Sequence, residues 1–400
     1  MNILFIHQNF PGQFVHLAAD LAQEAGNKVV ALTMRANPAP AGVTVRPYTL
    51  LRNPAPESHA LLREEEAKVL RAEACAAAAF QLKREGFVPD LVVAHPGWGE
   101  ALFIKDVFPQ AKVVVYCEFY YAAEGQDVGF DPEAPALSFE QRCRLRLRNS
   151  NNLLSMELAD AAIAPTEWQK STYPASVRDK ITVIHDGIDL ERVRYNPAAT
   201  LTLSGPRGQR SFAPGDEVVS YVARNLEPVR GFHIFMRTLP EVLRRRPNAQ
   251  VIVVGGNEVS YGQHPPGGGS WKDRLLAEVG GELDLSRIHF VGKVPYQAYL
   301  NLLSISRVHP YWTTPFVLSW SFLEAAASGV PLVASDTQPV REFVDMVGAA
   351  TVPFFDRAGF ADLVEERLAQ PVARAAAPRE LPHIALADCL RRQKALLRSV

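Results

Sequence analysis

Cysteine is scarce in this chain and nowhere clustered. Four residues, Cys75, Cys117, Cys143 and Cys389, are spread over 400 positions, and no CxxC occurs. That argues against a disulfide-stapled scaffold or a structural zinc site and fits a reducing compartment. An excess of charge of one sign is also missing. The formal net charge is −1, so there is no footprint for general nucleic-acid binding. No stretch approaches the ~18 uninterrupted apolar residues of a membrane span. The opening MNILFIHQNF has neither a basic segment nor a small-residue cleavage site and reads as a first strand, not a secretory signal. The expectation is a cytoplasmic protein, with peripheral contact to a membrane surface left open. GxGxxG is absent, which removes the dinucleotide fingerprint.

What is present is a βα alternation long enough for two domains. Asn2–His7 is an apolar strand, followed by Gly12 and a helix with Phe14, Leu17, Ala18 and Leu21 on one face. Lys28–Thr33 is the next strand, which makes a parallel βαβ opening. Gly12 either lets a ligand approach the backbone or merely makes the turn. Leu61–Gly86 reads as a long helix. Asp90–His95 is a strand whose end carries His95 and Trp98, a place where α/β proteins put ligands. Lys112–Cys117 runs into Glu118-Phe119-Tyr120-Tyr121 and a long loop, Ala122–Leu137. The aromatics Trp98, Phe119, Tyr120 and Tyr121 suit either stacking on a sugar or packing. Ser138–Asp160 reads as helical and carries Arg142, Arg144, Arg146 and Arg148. Their spacing favours a solvated surface over attraction to an anionic partner.

The expected division is 1–195 for a first domain, 196–215 for a linker or hairpin, 216–375 for a second domain and 376–400 for a terminal helix packing back on the first. In the second domain, strands are expected at Glu217–Val222, Gln250–Val254, Ile288–Val291 and Val308–Tyr311, with a mobile loop at Val259–Ser270. Arg224 ends the first of these strands and Arg230 follows six residues later at a helix start. Two guanidiniums near a helix N-terminus suit a pyrophosphate. The competing reading pairs each arginine with a neighbour such as Glu227.

The chain is organised around Pro315–Ser335, read as a loop, a short helix ended by Gly329 and Pro331, and a buried strand. The N–H groups of Val317–Trp320 face whatever lies before the helix, a position suited to phosphate. Glu324, one turn in, suits a vicinal diol such as a ribose. The same residues also spell a capping box, Ser321 with Glu324.

Four segments in this order resemble the retaining GT-B glycosyltransferases of family 4. Val183–Asp189 (VIHDGID) resembles V-I-P-N-G-V-D. Val222–Gly231 (VARNLEPVRG) resembles a segment of the form G-R-x5-K-G. Ile288–Pro295 (IHFVGKVP) resembles V-x-F-x-G-x-V-P, and Leu323–Val333 (LEAAASGVPLV) resembles L-E-A-M-A-x-G-x-P-V-V. Glu118–Pro135 is similar to a bacterial subgroup with a divergent N-terminal domain. The resemblance implies an α/β GT-B architecture, two Rossmann-like parallel-sheet domains facing across a cleft, with a C-terminal helix crossing back.

It further implies transfer of a sugar from a nucleotide sugar to the hydroxyl of a saccharide, lipid or small-molecule acceptor, with retention and without a cofactor. No DxD follows a strand, so no metal site is expected and arginines would meet the diphosphate. By the same resemblance Arg224 and Arg230 stabilise the leaving group, and Glu324 holds the ribose. The backbone of Val317, Leu318, Ser319 and Trp320 holds phosphate or sugar, Lys293 and Val294 lie near the base, and Gly12 lies beneath the sugar.

Two departures stand out. The first Glu of E-x7-E is replaced by Phe316, and Ser319 stands where Gly is usual. Glu118 occupies the position where many relatives carry His. It would act on the acceptor or sugar, or serve as a structural partner for Arg or Tyr; His95, at its own strand end, is a further catalytic candidate. Binding without transfer, and epimerase or phosphorylase chemistry, are the alternatives.

Overall fold

The computed structural model describes residues 1–35, 37–205, 208–370 and 373–400, which form two compact units. The first contains Met1–Gly187 and His383–Val400; the second is Ile188–Pro382.

The first unit is built on seven strands: β1 Asn2–Ile6, β2 Lys28–Thr33, β3 Val43–Pro47, β4 Leu91–Ala94, β5 Lys112–Tyr116, β6 Ala161–Ala164 and β7 Ile181–Val183. Their order is β3-β2-β1-β4-β5-β6-β7, and every pairing is parallel. Alternate residues of β1 serve opposite layers. Leu4 and Ile6 join a cluster with Ala74, Cys75, Ala79 and Leu82 of the Arg63–Arg84 helix. Ile3 and Phe5 join Phe14, Leu17 and Leu21 together with Cys389 and Leu397 of the Leu386–Ser399 helix. This double coverage is why the strands read as continuous apolar runs. The terminal helix thus packs on the first unit, as expected.

The second unit opens with an antiparallel hairpin, β8 Leu201–Gly205 and β9 Gly208–Phe212. Parallel strands follow: β10 Val218–Asn225, β11 Gln250–Gly256, β12 Ile288–Gly292, β13 His309–Tyr311, β14 Leu332–Ser335 and β15 Ala350–Val352. They form two three-stranded sheets, β10-β11-β12 and β13-β14-β15, joined by a parallel bridge between Val219 and Val308. The order reverses direction at β10 and β13. Such a switch point is where open α/β sheets take ligands beyond the strands' C-terminal ends.

The expected domain boundaries need correction. The units divide at Gly187 and Pro382, not at 195 and 375. The hairpin falls within the second unit, because Ala199 and Phe212 pack with Val218 and Ile252. Residues 376–382 also stay with the second unit, where Arg379 donates to the Ala326 carbonyl at 2.8 Å. Ser138–Asp160 is two helices, Phe139–Leu147 and Ser150–Leu158, the first opened by a capping box of Ser138 and Gln141. Pro206 and Arg207 between the two hairpin strands, and Pro371 and Val372, which open a Pro/Ala-rich run of the sequence from 371 to 382, lie outside the described residues.

Candidate functional site

In the second unit the site gathers at the ends of β10, β11 and β13. Arg224 and Arg230 lie on either side of the segment that leaves β10. Gly231 makes that segment possible: its φ is +65°, and a Cβ there would stand 2.3 Å from the Trp312 Cβ. The two guanidiniums converge on one ring, with Arg224 Cζ 6.0 Å and Arg230 Cζ 5.5 Å from the Tyr261 centroid. The Phe316 ring meets Tyr261 at 4.9 Å and Arg230 at 5.8 Å. Arg224 is exposed, whereas Arg230 is buried and donates Nη1 to Thr313 Oγ1 and the Val317 carbonyl, both at 2.8 Å. Neither meets a carboxylate among the described residues.

Glu227 does not pair with them. It is buried and accepts the backbone N–H groups of Ser260, Tyr261 and Gly262, the last at 2.8 Å. The loop expected to be mobile is therefore tied at its start, with Tyr261 held over the arginines. Asn225 adds a bond from Nδ2 to Ser260 Oγ at 2.7 Å.

The helix before which this cluster lies is Trp320–Ala327. Its N-cap is Ser319, whose hydroxyl accepts the Ser321 N–H. The competing capping box of Ser321 and Glu324 does not form, because the helix starts before Ser321 and Glu324 turns to other partners. Tyr296 donates its hydroxyl to Glu324 Oε1 at 2.6 Å, and Tyr299 donates to Oε2 at 2.9 Å. Burial raises the Glu324 carboxyl above its ordinary range, and the two phenols and Arg192 act against that shift. Ser319 N–H is donated to Tyr311 Oη at 2.8 Å, so it is already committed, while the Val317 and Leu318 N–H groups bond to no described residue. Gly329, at φ +72°, ends the helix as expected. Lys293 is exposed and lies over Gly256, and Val294 packs against the core cluster of Val218 and Ile252.

A second cluster sits at the strand ends of the first unit. His7 Nε2 and Gln13 Oε1 are 2.8 Å apart, and Gln13 Nε2 donates to Glu118 Oε1 at 2.7 Å. His95 Nε2 lies 3.4 Å from Glu118 Oε2, outside hydrogen-bond geometry, and is buried without a hydrogen-bond partner among the described residues. Its Nδ1 accepts the Gly97 N–H at 3.1 Å, which leaves the proton of the neutral ring on Nε2, facing Glu118. Trp98 stacks on His95 at 4.5 Å. Burial, aided by His95, lowers His7 to about 3, opposed by Gln13 and Glu118. Gly12 lies against the His7 ring: its φ is +48°, and a Cβ would be 2.4 Å from Nε2. Packing alone therefore demands glycine there.

The sequence matches two family descriptions, a glycosyl transferase family 4 group over residues 25–193 and glycosyl transferases group 1 over residues 216–370. The chain belongs to the GT-B glycosyltransferases of family 4. A GDP-mannose-dependent monoacylated alpha-(1-6)-phosphatidylinositol monomannoside mannosyltransferase of Corynebacterium glutamicum is 27% identical over 197 residues, covering 48% of this chain and 47% of that one. A glycogen synthase of Mycobacterium tuberculosis is 31% identical over 198 residues, covering 48% and 41%. The chain thus spans about half the length of the curated relatives it matches. The solved sucrose-phosphate synthase of Thermosynechococcus elongatus superposes over 100% of this chain and 98% of its own, with a TM-score of 0.66 at 16% identity, a likeness of fold.

Phe316, which stands where the family pattern has a Glu, is buried under Tyr261 and brings no carboxylate to this cluster. Among the described residues, no group of three or more His, Cys, Asp or Glu side chains is placed to hold a metal, and no helix is long and apolar enough to cross a membrane. The structure brings together Arg224, Arg230, Val317 and Ser319 in one unit, and Gly12, His95 and Glu118 in the other. The aromatics are used in packing, with Phe119 against Tyr121 and Tyr120 against Tyr173. Arg142, Arg144 and Arg148 are taken by Glu124, Glu140 and Glu64, which agrees with a solvated surface. Sequence reasoning missed Gln13, Tyr261, Tyr296 and Tyr299. Of these only the last two carry a signal, an i,i+3 tyrosine pair facing one side of the Tyr296–Ile305 helix.

Proposed function

We propose that this chain transfers a sugar, with retention, from a nucleotide-diphosphate sugar to an acceptor hydroxyl. The observation that carries the reading is the convergence of Arg224 and Arg230 on one ring with no carboxylate taken by either. Two uncompensated guanidiniums beside the open Val317 and Leu318 N–H groups form a receptor for a diphosphate. In the reaction the bond from the anomeric carbon to the β-phosphate oxygen breaks, and the acceptor oxygen bonds the same carbon. The acceptor proton passes to the departing diphosphate. The arginines oppose the charge that grows on the leaving group, where such stabilisation lowers the barrier most. Glu324 receives the ribose hydroxyls, Lys293 and Val294 flank the base, and Trp320 opens the helix toward the phosphates. On the acceptor side Glu118 orients the hydroxyl and His95 Nε2–H supplies a donor. The acceptor class is a polyol, a saccharide or a lipid headgroup, in line with the names of the relatives, and a membrane-borne acceptor would require peripheral contact.

The test is a thermal-shift screen with UDP-, GDP-, ADP- and dTDP-sugars, with and without EDTA, followed by turnover of Arg224→Ala. A ligand at 100 times its dissociation constant adds roughly 2.7 kcal/mol. One nucleotide family should raise the midpoint, EDTA should leave the shift in place, and Arg224→Ala should lower kcat by about 100-fold or more. Unchanged turnover in that variant would remove the diphosphate assignment. Binding without transfer is favoured by one observation, the burial of Phe316 where the family motif places a carboxylate. A donor-induced shift with no turnover over a broad acceptor panel would decide for it.

A further inference from the structure

The pair of tyrosines on Glu324 has a consequence for ligand selection. Tyr296 and Tyr299 stand at i and i+3 on one helix, with ring centroids 5.8 Å apart, and each donates to a different oxygen of the carboxylate. This is the pattern that two adjacent hydroxyls of a ligand would make. The two phenols differ in their freedom to leave. Tyr299 is 7% exposed and fixed in the core of the helix. Tyr296 is 39% exposed, and outside its bond to Glu324 it is held by the Arg192 guanidinium, 4.5 Å from its ring centroid. A carboxylate has about four lone-pair sites on its two oxygens. Two phenols and a diol would fill every one of them, so a diol binds with least crowding when one phenol leaves and the other stays.

We infer that Tyr296 sets the affinity for a diol ligand by competing with its hydroxyls for Glu324, while Tyr299 is a positioning residue that keeps the carboxylate aimed. The inference rests on the reading of Glu324 as a diol receptor in the proposed donor site. A ligand then has to replace the Tyr296 hydroxyl with one of its own, and a nucleotide with only one ribose hydroxyl replaces it poorly. The tyrosine thereby holds down the affinity of a diol ligand that must displace it, while a ligand that leaves it on Glu324 is affected less.

The experiment measures dissociation constants of UDP, GDP and ADP and of their 2′-deoxy counterparts by calorimetry, for the wild type and for Tyr296→Phe, Tyr299→Phe and Glu324→Gln. Each phenylalanine substitution removes one hydroxyl and keeps the ring. With the competitor gone, Tyr296→Phe should bind the preferred ribonucleotide about tenfold more tightly, with a smaller change for the deoxy form. Tyr299→Phe should bind it about tenfold more weakly, and Glu324→Gln should lose most of the discrimination between the two forms. Ribonucleotide binding unchanged or weakened in Tyr296→Phe overturns the competition while leaving the donor site in place. A wild-type protein that binds none of the six ligands removes the donor reading itself, and this inference with it. A merely structural role for Tyr299 would weaken both forms equally, which also overturns its part.

Discussion

Three histidines at the ends of parallel strands share one local device. His7, His95 and His185 follow β1, β4 and β7, and each accepts at Nδ1 the backbone N–H of the residue two further on, at 2.9, 3.1 and 3.0 Å. The bond fixes the tautomer, with the proton of the neutral ring on Nε2. Burial lowers His185 to about 4. Its unfolded value is near 6.5, so below that pH the unfolded chain binds a proton that the folded chain refuses. Stability from this group is intact above pH 6.5 and declines as pH falls toward 4, by roughly 2 kcal/mol at pH 5. In His185→Asn the amide oxygen can still accept the Gly187 N–H but nothing titrates. The stability gap between wild type and variant, measured by urea unfolding, should shift by that amount in the variant's favour between pH 7.5 and pH 5. A parallel pH dependence of the two proteins would mean that His185 is protonated in the folded state. The strand-end positions were legible from the apolar runs that precede them. The shared geometry was not, because an i,i+2 backbone bond leaves no mark in residue type.

At the scale of elements, Glu227 joins two segments that the sequence keeps more than thirty residues apart. Its carboxylate accepts three successive N–H groups of the loop that carries Tyr261. Bonds to a charged acceptor are worth about 1.5–3 kcal/mol each, and they act as one network. Glu227→Ala should therefore cost about 3 kcal/mol in thermal unfolding and free the loop to exchange its amides, while Arg224 and Arg230 keep their charge. Hydrogen exchange at residues 260–262 is the direct readout, and protection equal to wild type would mean that other contacts hold the loop. From sequence alone Glu227 was a candidate partner for the arginines, which is the nearest-neighbour reading of any acidic residue between two basic ones. Tertiary placement overrode it. The helix at Trp320 gave a related lesson. Ser321 and Glu324 satisfied the capping pattern, but Ser319 satisfied the cap two residues earlier, which left Glu324 free to turn to the tyrosines. Motif positions at strand ends were readable because periodicity marks where strands stop. The partners those residues choose come from other elements, and no local pattern names them.

For the whole molecule, the last eighteen residues belong with the first unit, although 195 residues of the second unit intervene. The Leu386–Ser399 helix buries Cys389 and Leu397 against Ile3, Phe5, Phe14 and Leu17. Arg392 donates to the Val183 carbonyl at 2.9 Å and Gln393 to the His185 carbonyl at 3.1 Å. Lys394 and Arg398 reach Asp20 on the Val15–Gln23 helix and Glu24 at its end, contacts of modest worth at an exposed edge. The apolar contacts therefore dominate. Leu397→Ala should cost about 2–5 kcal/mol, a large share of the roughly 5–15 kcal/mol that holds a typical domain. Hydrogen exchange resolves where that loss falls. If the units unfold separately, the amides of β1, β2 and β4 lose protection while those of β10 and β11 keep theirs. An equal loss across both sets would show instead that the units unfold as one cooperative body, so that a residue at the end of the chain sets the stability of the unit that carries the proposed donor site.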